Sequence, residues 1–321
     1  MTRFAHPKEQ LDVIGRGIVE LIEREELLAR LSDSFDNGTP LRVAAGFDPS
    51  SADLHLGHTV VLRMLRRFQD LGHEVIVLLG DFTARFGDPT EQSQARPRLD
   101  ADQVKANAES YRRQMGQLLD LNRTRFETNS GWLEDLRLDQ LLHAASLIGL
   151  PRLTGRPDLK QRPDLRLDEL IYPLLQAYDS VHLELDLELG GLDQLPNMLL
   201  ARELMGAMGK TPQCVIATDL LEGIDAYLDE GRFVGGKMSQ SQSNTITLGD
   251  SEAEIRRKVG LLNEALLWRY FDLLTDCSFP QMKAFQADRE SGKRSVEEIK
   301  NYLADEIIAG LGMGCTEPAG S

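Results

Sequence analysis

The apolar residues of the chain follow two different spacings, one typical of helices and one typical of buried strands. Near the N-terminus a helical spacing joins Ile14, Ile18, Leu21, Leu28 and Leu31. It predicts a mainly helical segment over residues 8–35. Short apolar runs at 41–45 and 75–79 predict buried strands, and a helix is predicted between them at 60–71. A strand, a helix and a second strand in this order form a βαβ unit.

The rest of the chain continues to switch between the two patterns. Helices are predicted at 102–121, at 133–150 and from about residue 197. Residues 181–189 alternate strictly between apolar and polar side chains, which predicts a half-buried strand, and 214–217 form another apolar run. From Ser251 the pattern is helical to the end, with Ser251 and Glu254, and Ser295 and Glu298, at capping-box spacing.

This order of elements predicts an α/β fold. We expect a Rossmann-like parallel sheet with a helical insertion, followed by a small all-helical C-terminal domain. We place an N-terminal helical arm at 1–40, the Rossmann-like domain at 41–250 with its insertion at about 101–180, and the helical domain and tail at 251–321.

Composition narrows the class of protein. The chain has 321 residues, of which 41% are hydrophobic and 27% charged, as in an ordinary globular protein. It has neither an apolar run long enough for a membrane nor an N-terminal signal core, so we expect a cytoplasmic protein. Three dispersed cysteines, Cys214, Cys277 and Cys315, predict neither a disulfide framework nor a metal site.

The net charge of −15 opposes attraction of nucleic acid by the overall field. Any RNA contact would therefore need a local basic patch. The densest basic stretches are Arg63 with Arg66 and Arg67, and residues 256–258, and both are more typical of solvated helix faces.

Two histidines lie where a predicted strand passes into a helix. His55 and His58 are three residues apart, a spacing that places both on one helix face. A helix N-terminus attracts phosphate, and Gly57 lets a nucleotide approach the backbone. Two imidazoles there could donate hydrogen bonds to phosphate oxygens, although an isolated pair of this kind is more often a pair of surface histidines.

A second candidate element is the loop Lys237-Met238-Ser239, which Gly235 and Gly236 precede. A lysine on a glycine-flanked loop can close over a triphosphate. The alternative is an ordinary surface linker.

A third element is the set Tyr172, Gln176 and Asp179, which share a helical face among apolar neighbours. Buried polar side chains need partners, and a ligand carrying a phenol and an ammonium group would supply them. A solvated polar stripe is the alternative.

Glycine-rich turns follow two of the predicted strands. Gly191 and Asp193 come after one strand, and Thr83 and Asp88 come after another. Open α/β sheets bind ligands at the carboxyl ends of their strands, where Asp193 could accept hydrogen bonds from ribose hydroxyls. Ordinary turn chemistry explains each turn equally well when it is considered separately.

Together these elements resemble the bacterial tyrosyl-tRNA synthetases of class I, from about residue 8 to 312. Six motifs in matching order carry the resemblance: Ala45-Gly46-Phe47-Asp48-Pro49; His55-Leu56-Gly57-His58; Gly80-Asp81-Phe82-Thr83 with Gly87-Asp88-Pro89-Thr90; the segment 172–180; Glu188-Leu189-Gly190-Gly191-Leu192-Asp193-Gln194; and the Lys237 loop.

The resemblance implies that the carboxylate of L-tyrosine, or of a close analogue, attacks the α-phosphate of ATP, and that Mg²⁺ accompanies the ATP without dedicated protein ligands. The aminoacyl group would then pass to tRNA, and the chain would form a homodimer through its helical insertion. The implied tyrosine-binding residues are Thr83, Asp88, Tyr172, Gln176, Asp179 and Gln194. The implied ATP-binding residues are Asp48, Gly57, Gly191, Asp193, Leu220 and Leu221. The implied catalytic residues, which would stabilise the pentacovalent phosphorus, are Ser50, His55, His58, Lys237 and Ser239.

The sequence departs from the family in several places. Gln240 and Gln92 replace lysines that the family usually carries, Arg96 and Arg98 being the nearby charges, and Ala44 replaces a frequent tyrosine. Residues 226–235 look like an insertion, and the usual C-terminal RNA-binding module is not part of these 321 residues. Loss of one preorganised donor costs about 3 kcal/mol at a transition state, so we expect slower activation. The missing module and the net charge of −15 lead us to expect weaker tRNA binding.

Four functions therefore stand as hypotheses. The first is a tyrosine–tRNA ligase, and the second is a paralogue that passes the acyl group to a small amine or carrier. The third is a non-catalytic regulator that binds tyrosine and ATP, against which the intact His55–His58 motif and Lys237 count. The fourth is another adenylyltransferase, against which the Tyr172–Asp179 set counts.

Overall fold

The computed structural model of the chain describes residues 4–90, 98–160, 162 and 164–313. The strands are β1 (Ile18–Ile22), β2 (Arg42–Phe47), β3 (Glu74–Leu79), β4 (Thr124–Thr128), β5 (Leu187–Gly191), β6 (Cys214–Thr218), β7 (Tyr227–Asp229) and β8 (Arg232–Val234). The helices are α1 (Pro7–Ile14), α2 (Arg24–Asn37), α3 (Leu56–Asp70), α4 (Ala101–Met115), α5 (Ser130–Leu133), α6 (Leu138–Ser146), α7 (Leu150–Thr154), α8 (Pro157–Lys160), α9 (Leu167–Leu183), α10 (Leu195–Ala207), α11 (Glu252–Gly260), α12 (Glu264–Leu274), α13 (Phe279–Glu290) and α14 (Val296–Gly310). Among the described residues, no helix combines the length and the apolar character needed to cross a membrane.

The chain divides into two compact units. The first contains Met1–Ala52, Met64–Arg112 and Leu119–Thr218, and the second contains Asp53–Arg63, Arg113–Leu118 and Asp219–Ser321. The domain boundaries drawn from the sequence stay a prediction.

The first unit is built on a six-stranded sheet in the order β1-β6-β5-β2-β3-β4. Every neighbouring pair is parallel except β1 with β6, which is antiparallel. The inner strands are apolar because helices cover both faces of such a sheet. Helices α9 and α10 pack together through Leu174, Ala177, Val181, Leu200 and Leu204.

The second unit contains α11 to α14 and the two-stranded sheet β7-β8. The rings of Phe271, Phe285 and Tyr302 pack between its helices, with the Phe285 and Tyr302 centroids 4.9 Å apart. Ser295 forms the predicted capping box with Glu298, and Ser251 caps α11 by accepting a hydrogen bond from the Glu254 N–H.

The helical prediction for residues 8–35 is wrong in its middle, where β1 pairs with β6 at the edge of the sheet. Gly17 has φ +82°, which ends the helical path after α1. The segment Ile18–Ile22 is rich in β-branched residues, and its backbone groups find partners on β6.

The predicted strand at 181–189 is also wrong in its first half. Residues up to Leu183 complete α9, and Glu184 ends the helix with φ 48°. The apolar residues there fit both an alternating and a helical spacing. Val181 packs in the same core cluster as Leu174 and Ala177 on α9, so the helical spacing is the one that applies. The true strand, β5, is buried on both faces and includes the carboxyl group of Glu188, so it is not half-buried.

Other boundaries differ as well. The helix predicted at 102–121 ends at Met115, and the one predicted at 133–150 is divided among α5, α6 and α7. Strand β4, which pairs with β3, lies within the predicted helical insertion; its sequence Thr-Arg-Phe-Glu-Thr contains one large apolar side chain and gives little periodic signal.

Candidate active site

The site begins at the carboxyl edge of the sheet in the first unit. The strand order reverses between β5 and β2, and such a switch point is where open α/β sheets bind ligands. Asp48 directly follows β2, Gly80 directly follows β3 and Gly191 ends β5. Because each of these strands is followed directly by its motif, three of the six motifs lie at the same edge of the sheet.

Asp179 lies on α9 and is only 3% exposed. Its Oδ2 accepts a hydrogen bond from Asn129 Nδ2 at 3.1 Å, and its Oδ1 accepts one from Trp132 Nε1 at 2.8 Å. The Trp132 ring is stacked on His182, with centroids 4.4 Å apart, which fixes the indole donor. Burial raises the pKa of Asp179 to about 8. Each carboxylate oxygen has two lone pairs, so this group can accept a further hydrogen bond from a phenol.

A second group of hydrogen bonds joins Asp48, Thr83 and Tyr172. Asp48 Oδ1 accepts from Thr83 Oγ1 at 2.8 Å, and Asp48 Oδ2 accepts from the Tyr172 hydroxyl at 2.9 Å. Asn129 donates to Thr83 Oγ1 at 3.0 Å and so links this group to Asp179. Gly80 is required beside it, because a Cβ there would lie 2.0 Å from Asp48 Oδ1.

A cluster of amides and one carboxylate lies beside α9. Gln194 Nε2 donates to Asp88 Oδ2 at 2.8 Å, and Gln176 Nε2 lies 3.4 Å from Gln194 Oε1. The fully buried Asn197 donates to Gln176 Oε1 at 2.9 Å and to Gln194 Oε1 at 3.1 Å. The six residues predicted to contact tyrosine are thus divided between two hydrogen-bonded groups. One contains Thr83, Tyr172 and Asp48 and is joined to Asp179 through Asn129, and the other contains Asp88, Gln176 and Gln194.

Three further predicted residues lie in the first unit. The Ser50 N–H donates to the Asp48 carbonyl at 2.7 Å, which tightens the turn after β2. Gly191 pairs with Thr218 of β6, and Asp193 lies in the short 3₁₀ turn Leu192–Gln194.

In the second unit, His55 and His58 lie side by side, with ring centroids 3.9 Å apart. Burial lowers the pKa of His55 to about 2 and that of His58 to about 4, so both are neutral at pH 7. His58 Nδ1 accepts the His55 backbone N–H at 3.1 Å, which leaves the ring proton of His58 on Nε2. His55 Nδ1 is buried and has no hydrogen-bond partner among the described residues.

The lysine loop lies in the same unit. Lys237 pairs through its backbone with Glu222, and its charge helps to lower the pKa of both histidines. The Ser239 N–H donates to Asn244 Oδ1 at 2.8 Å, and Gln240 Nε2 donates to the Asp53 carbonyl at 2.6 Å. Gln240, which stands where the family usually has lysine, therefore anchors the loop to the backbone before α3.

Gly57 and the two leucines complete the predicted set. A Cβ on Gly57 would lie 3.0 Å from the His55 ring, so any larger residue would press on that ring. Leu221 is buried and its carbonyl accepts the Met238 N–H at 2.7 Å, while the Leu220 carbonyl accepts from Arg269 at 3.1 Å.

Several residues of these groups were not predicted from the sequence: Asn129, Trp132, Asn197 and Arg156, whose guanidinium group donates to the Asn197 side-chain oxygen. Asn129 and Trp132 follow β4, which the sequence pattern missed. Asn197 could have been found, because it lies three residues after Gln194 at the start of α10. Gln92, Arg96 and Cys315 lie outside the described residues, and Arg98 pairs with Asp168 at 2.7 Å.

Comparison with known proteins gives consistent matches. The family model described as tRNA synthetases class I (W and Y) matches residues 36–313. The tyrosine–tRNA ligase of Desulfotalea psychrophila is 42% identical over 306 residues, which cover 94% of this chain and 74% of that protein. The enzyme of the same name from Coxiella burnetii is 42% identical over 307 residues, covering 94% and 73%.

This chain belongs to the class I tyrosyl-tRNA synthetases. The predicted family is thereby confirmed, as is the enzyme class, an ATP-dependent ligase that forms an aminoacyl-adenylate.

Solved structures confirm the predicted fold class. The tyrosyl-tRNA synthetase of Archaeoglobus fulgidus, solved with L-tyrosine, superimposes with a TM-score of 0.77 at 25% identity, covering 95% of this chain and 98% of that one. The synthetase of Aeropyrum pernix gives a TM-score of 0.77 at 21% identity, covering 96% and 93%, which supports the fold alone.

Proposed function

We propose that this chain activates L-tyrosine with ATP and transfers the tyrosyl group to tRNA. The observation that carries the proposal is Asp179, a buried carboxyl group held by Asn129 and Trp132 with lone pairs left for a phenol. Phenylalanine would leave this desolvated group without its partner; rejection of phenylalanine by about 10⁵ is the standard example of this effect for tyrosyl-tRNA synthetases.

The remaining pocket residues then bind the ammonium and carboxylate groups of the amino acid or line the pocket. Asp88, Gln176 and Tyr172 bind the ammonium group, Gln194 lies beside the carboxylate and Thr83 lines the pocket. The hydrogen bonds of Gln194 with Asp88 and of Tyr172 with Asp48 support these roles, because they hold acceptors in place before the substrate arrives.

A separate set of residues is assigned to ATP. In the first unit, Asp48, Gly191 and Asp193 are assigned to ATP and its ribose. In the second unit, Leu220 and Leu221 are assigned to the adenine, and Gly57 gives a nucleotide room to approach the backbone. Mg²⁺ arrives with the triphosphate, because this ion is usually bound largely through substrate phosphates and keeps several of its waters.

Activation needs positioning and stabilisation of charge, with no protein nucleophile. The tyrosine carboxylate attacks the α-phosphorus, the bond to the bridging oxygen breaks and pyrophosphate leaves. His55 and His58 are neutral donors because their pKa values are low, and they stabilise the phosphorus oxygens together with Lys237, Ser239 and Ser50.

A small-molecule acyl acceptor is the second candidate. The net charge of −15 favours it, and so does the pairing of the densest basic stretches with acids. Arg63 pairs with Asp276, and Lys258 pairs with Asp250.

One assay in two stages tests the proposal. Tyrosine-dependent exchange of pyrophosphate into ATP should occur with the purified chain, and charging of tRNA should follow. Exchange without charging would leave the small-acceptor alternative, and absence of exchange would contradict both.

We also propose a homodimer through the helical insertion, within a cytoplasmic enzyme. Leu138 and Leu142 on α6 and Leu150 on α7 are each at least 60% exposed, and a second copy would bury them. Sedimentation velocity should give a dimer for the native chain and a monomer for Leu138→Glu; a monomeric native chain would contradict the proposal.

A further inference from the structure

A buried arginine lies behind the amide cluster of the first unit. Arg156, between α7 and α8, is 8% exposed. Its Nη2 donates to Thr90 Oγ1 at 3.1 Å, and its Nη1 donates to the side-chain oxygen of Asn197. A buried guanidinium group is costly unless its hydrogen bonds are satisfied, so its position calls for an explanation.

Arg156 fixes the direction in which the Asn197 amide points. A guanidinium group has donors and no acceptor, so only the oxygen of Asn197 can face it. The NH₂ group of Asn197 must then point away from the guanidinium group, and it lies within hydrogen-bonding distance of Gln176 Oε1 at 2.9 Å, Gln194 Oε1 at 3.1 Å and Thr90 Oγ1 at 3.3 Å.

The orientation of the Asn197 amide in turn determines how the amides of Gln176 and Gln194 are oriented. Because the Oε1 atoms of Gln176 and Gln194 face Asn197, their Nε2 groups point away from it, and that of Gln194 donates to Asp88 Oδ2 at 2.8 Å. Thr90 holds the other oxygen of this carboxylate, because its backbone N–H donates to Asp88 Oδ1 at 2.9 Å. Oδ2 of Asp88 is thus held by a glutamine whose orientation depends on Arg156, and Oδ1 is held by the backbone of Thr90, whose side chain Arg156 contacts.

We propose that Arg156 is a positioning residue for recognition of the amino acid's ammonium group. It acts through Asn197 and Thr90, which orient Gln176, Gln194 and Asp88. The inference rests on the proposed function, because it assumes that these three residues contact the amino acid. Arg156 itself touches neither substrate.

The test compares three ligands that differ at the α-carbon. L-tyrosine carries both charged groups, tyramine keeps only the ammonium group, and 3-(4-hydroxyphenyl)propionate keeps only the carboxylate. Their affinities are measured by calorimetry and by competition in the exchange reaction, with Arg156→Met, Arg156→Lys and the native chain. Arg152→Met is the matched control, because Arg152 is a half-exposed arginine on α7 that pairs with Glu203.

Arg156→Met should weaken tyrosine and tyramine by about 10-fold to 100-fold, as expected when hydrogen bonds to a charged group lose their geometry. The propionate should lose clearly less affinity than tyramine, because it keeps only the carboxylate beside Gln194 and lacks the ammonium group that Asp88 and Gln176 bind. Arg156→Lys should recover part of the loss, since an ammonium group also has donors only. Arg152→Met should behave like the native chain.

Asn197→Asp gives an independent variant in case Arg156→Met does not fold. It keeps the partner of Arg156 but replaces the donating NH₂ with an acceptor, so the glutamine amides must reverse and tyramine affinity should fall. Equal losses for all three ligands in both variants, or unchanged tyramine binding, would overturn the inference. A native chain that binds neither tyrosine nor tyramine would instead contradict the proposed function itself.

Discussion

Asp179→Asn is the substitution whose effect follows most directly from the structure. The aspartate accepts hydrogen bonds from Asn129 and Trp132, one on each oxygen. An asparagine of the same shape has one oxygen and one NH₂ group, so it must turn its NH₂ group toward one of the two donors. It also removes the carboxylate acceptor for the substrate phenol, the form that predominates above pH 8, and leaves at best a neutral acceptor.

The magnitude can be estimated from these contacts. A hydrogen bond to a charged group contributes about 1.5–3 kcal/mol, which corresponds to a factor of about 10 to 150 in kcat/KM. At pH 9, where the carboxylate form of Asp179 predominates, selectivity for tyrosine over phenylalanine should fall by this factor, because phenylalanine never makes the bond. The KM for ATP should stay within about twofold, since Asp179 is assigned no contact with the nucleotide.

The assay is pyrophosphate exchange with each amino acid across a range of concentrations. Asp139→Asn is the control, because Asp139 is an exposed aspartate on α6 that pairs with Arg137. An Asp179→Asn chain that keeps the native preference for tyrosine, or one that loses ATP affinity as strongly as tyrosine affinity, would refute the assignment.

Because burial raises the pKa of Asp179 to about 8, its carboxylate form grows as pH rises from 7 to 9; the kcat/KM ratio of tyrosine to phenylalanine should rise over this range and stay flat in Asp179→Asn. His58→Ala should lower the kcat of exchange by about 10²–10³ with little change in the KM for tyrosine, and the exposed His143→Ala should not; equal effects of the two would count against the donor role. Burial also lowers the pKa of His73 to about 4, below the unfolded value of 6.5, so its contribution is complete above pH 6.5 and is lost as pH falls from 6.5 to 4. Urea unfolding at pH 7 and pH 5 should show about 2 kcal/mol more loss in the native chain than in His73→Asn, and an equal loss would contradict the linkage.

The sequence predicted the elements whose pattern is set locally. Strands β2, β3 and β6 are buried on both faces, so each is a continuous apolar run that can be read without knowledge of its neighbours. The common edge of three motifs could also be anticipated, because Asp48, Gly80 and Gly191 lie at the ends of strands β2, β3 and β5.

What the sequence missed depends on tertiary partners. Strand β1 exists because β6 offers its edge, and β4 exists because β3 does, although neither has a strong periodic pattern. Arg156 is 41 residues from Asn197 and 66 from Thr90, so no local spacing could connect them. Such long-range hydrogen bonds become visible only when the fold brings the residues together.

The central claim, that this chain forms tyrosyl-adenylate, is tested most directly by tyrosine-dependent exchange of labelled pyrophosphate into ATP. We expect exchange with tyrosine, far less with phenylalanine at the same concentration, and a loss of about 10²–10³ in His58→Ala. Exchange that does not depend on tyrosine, or no exchange by a folded chain that binds ATP, would contradict it.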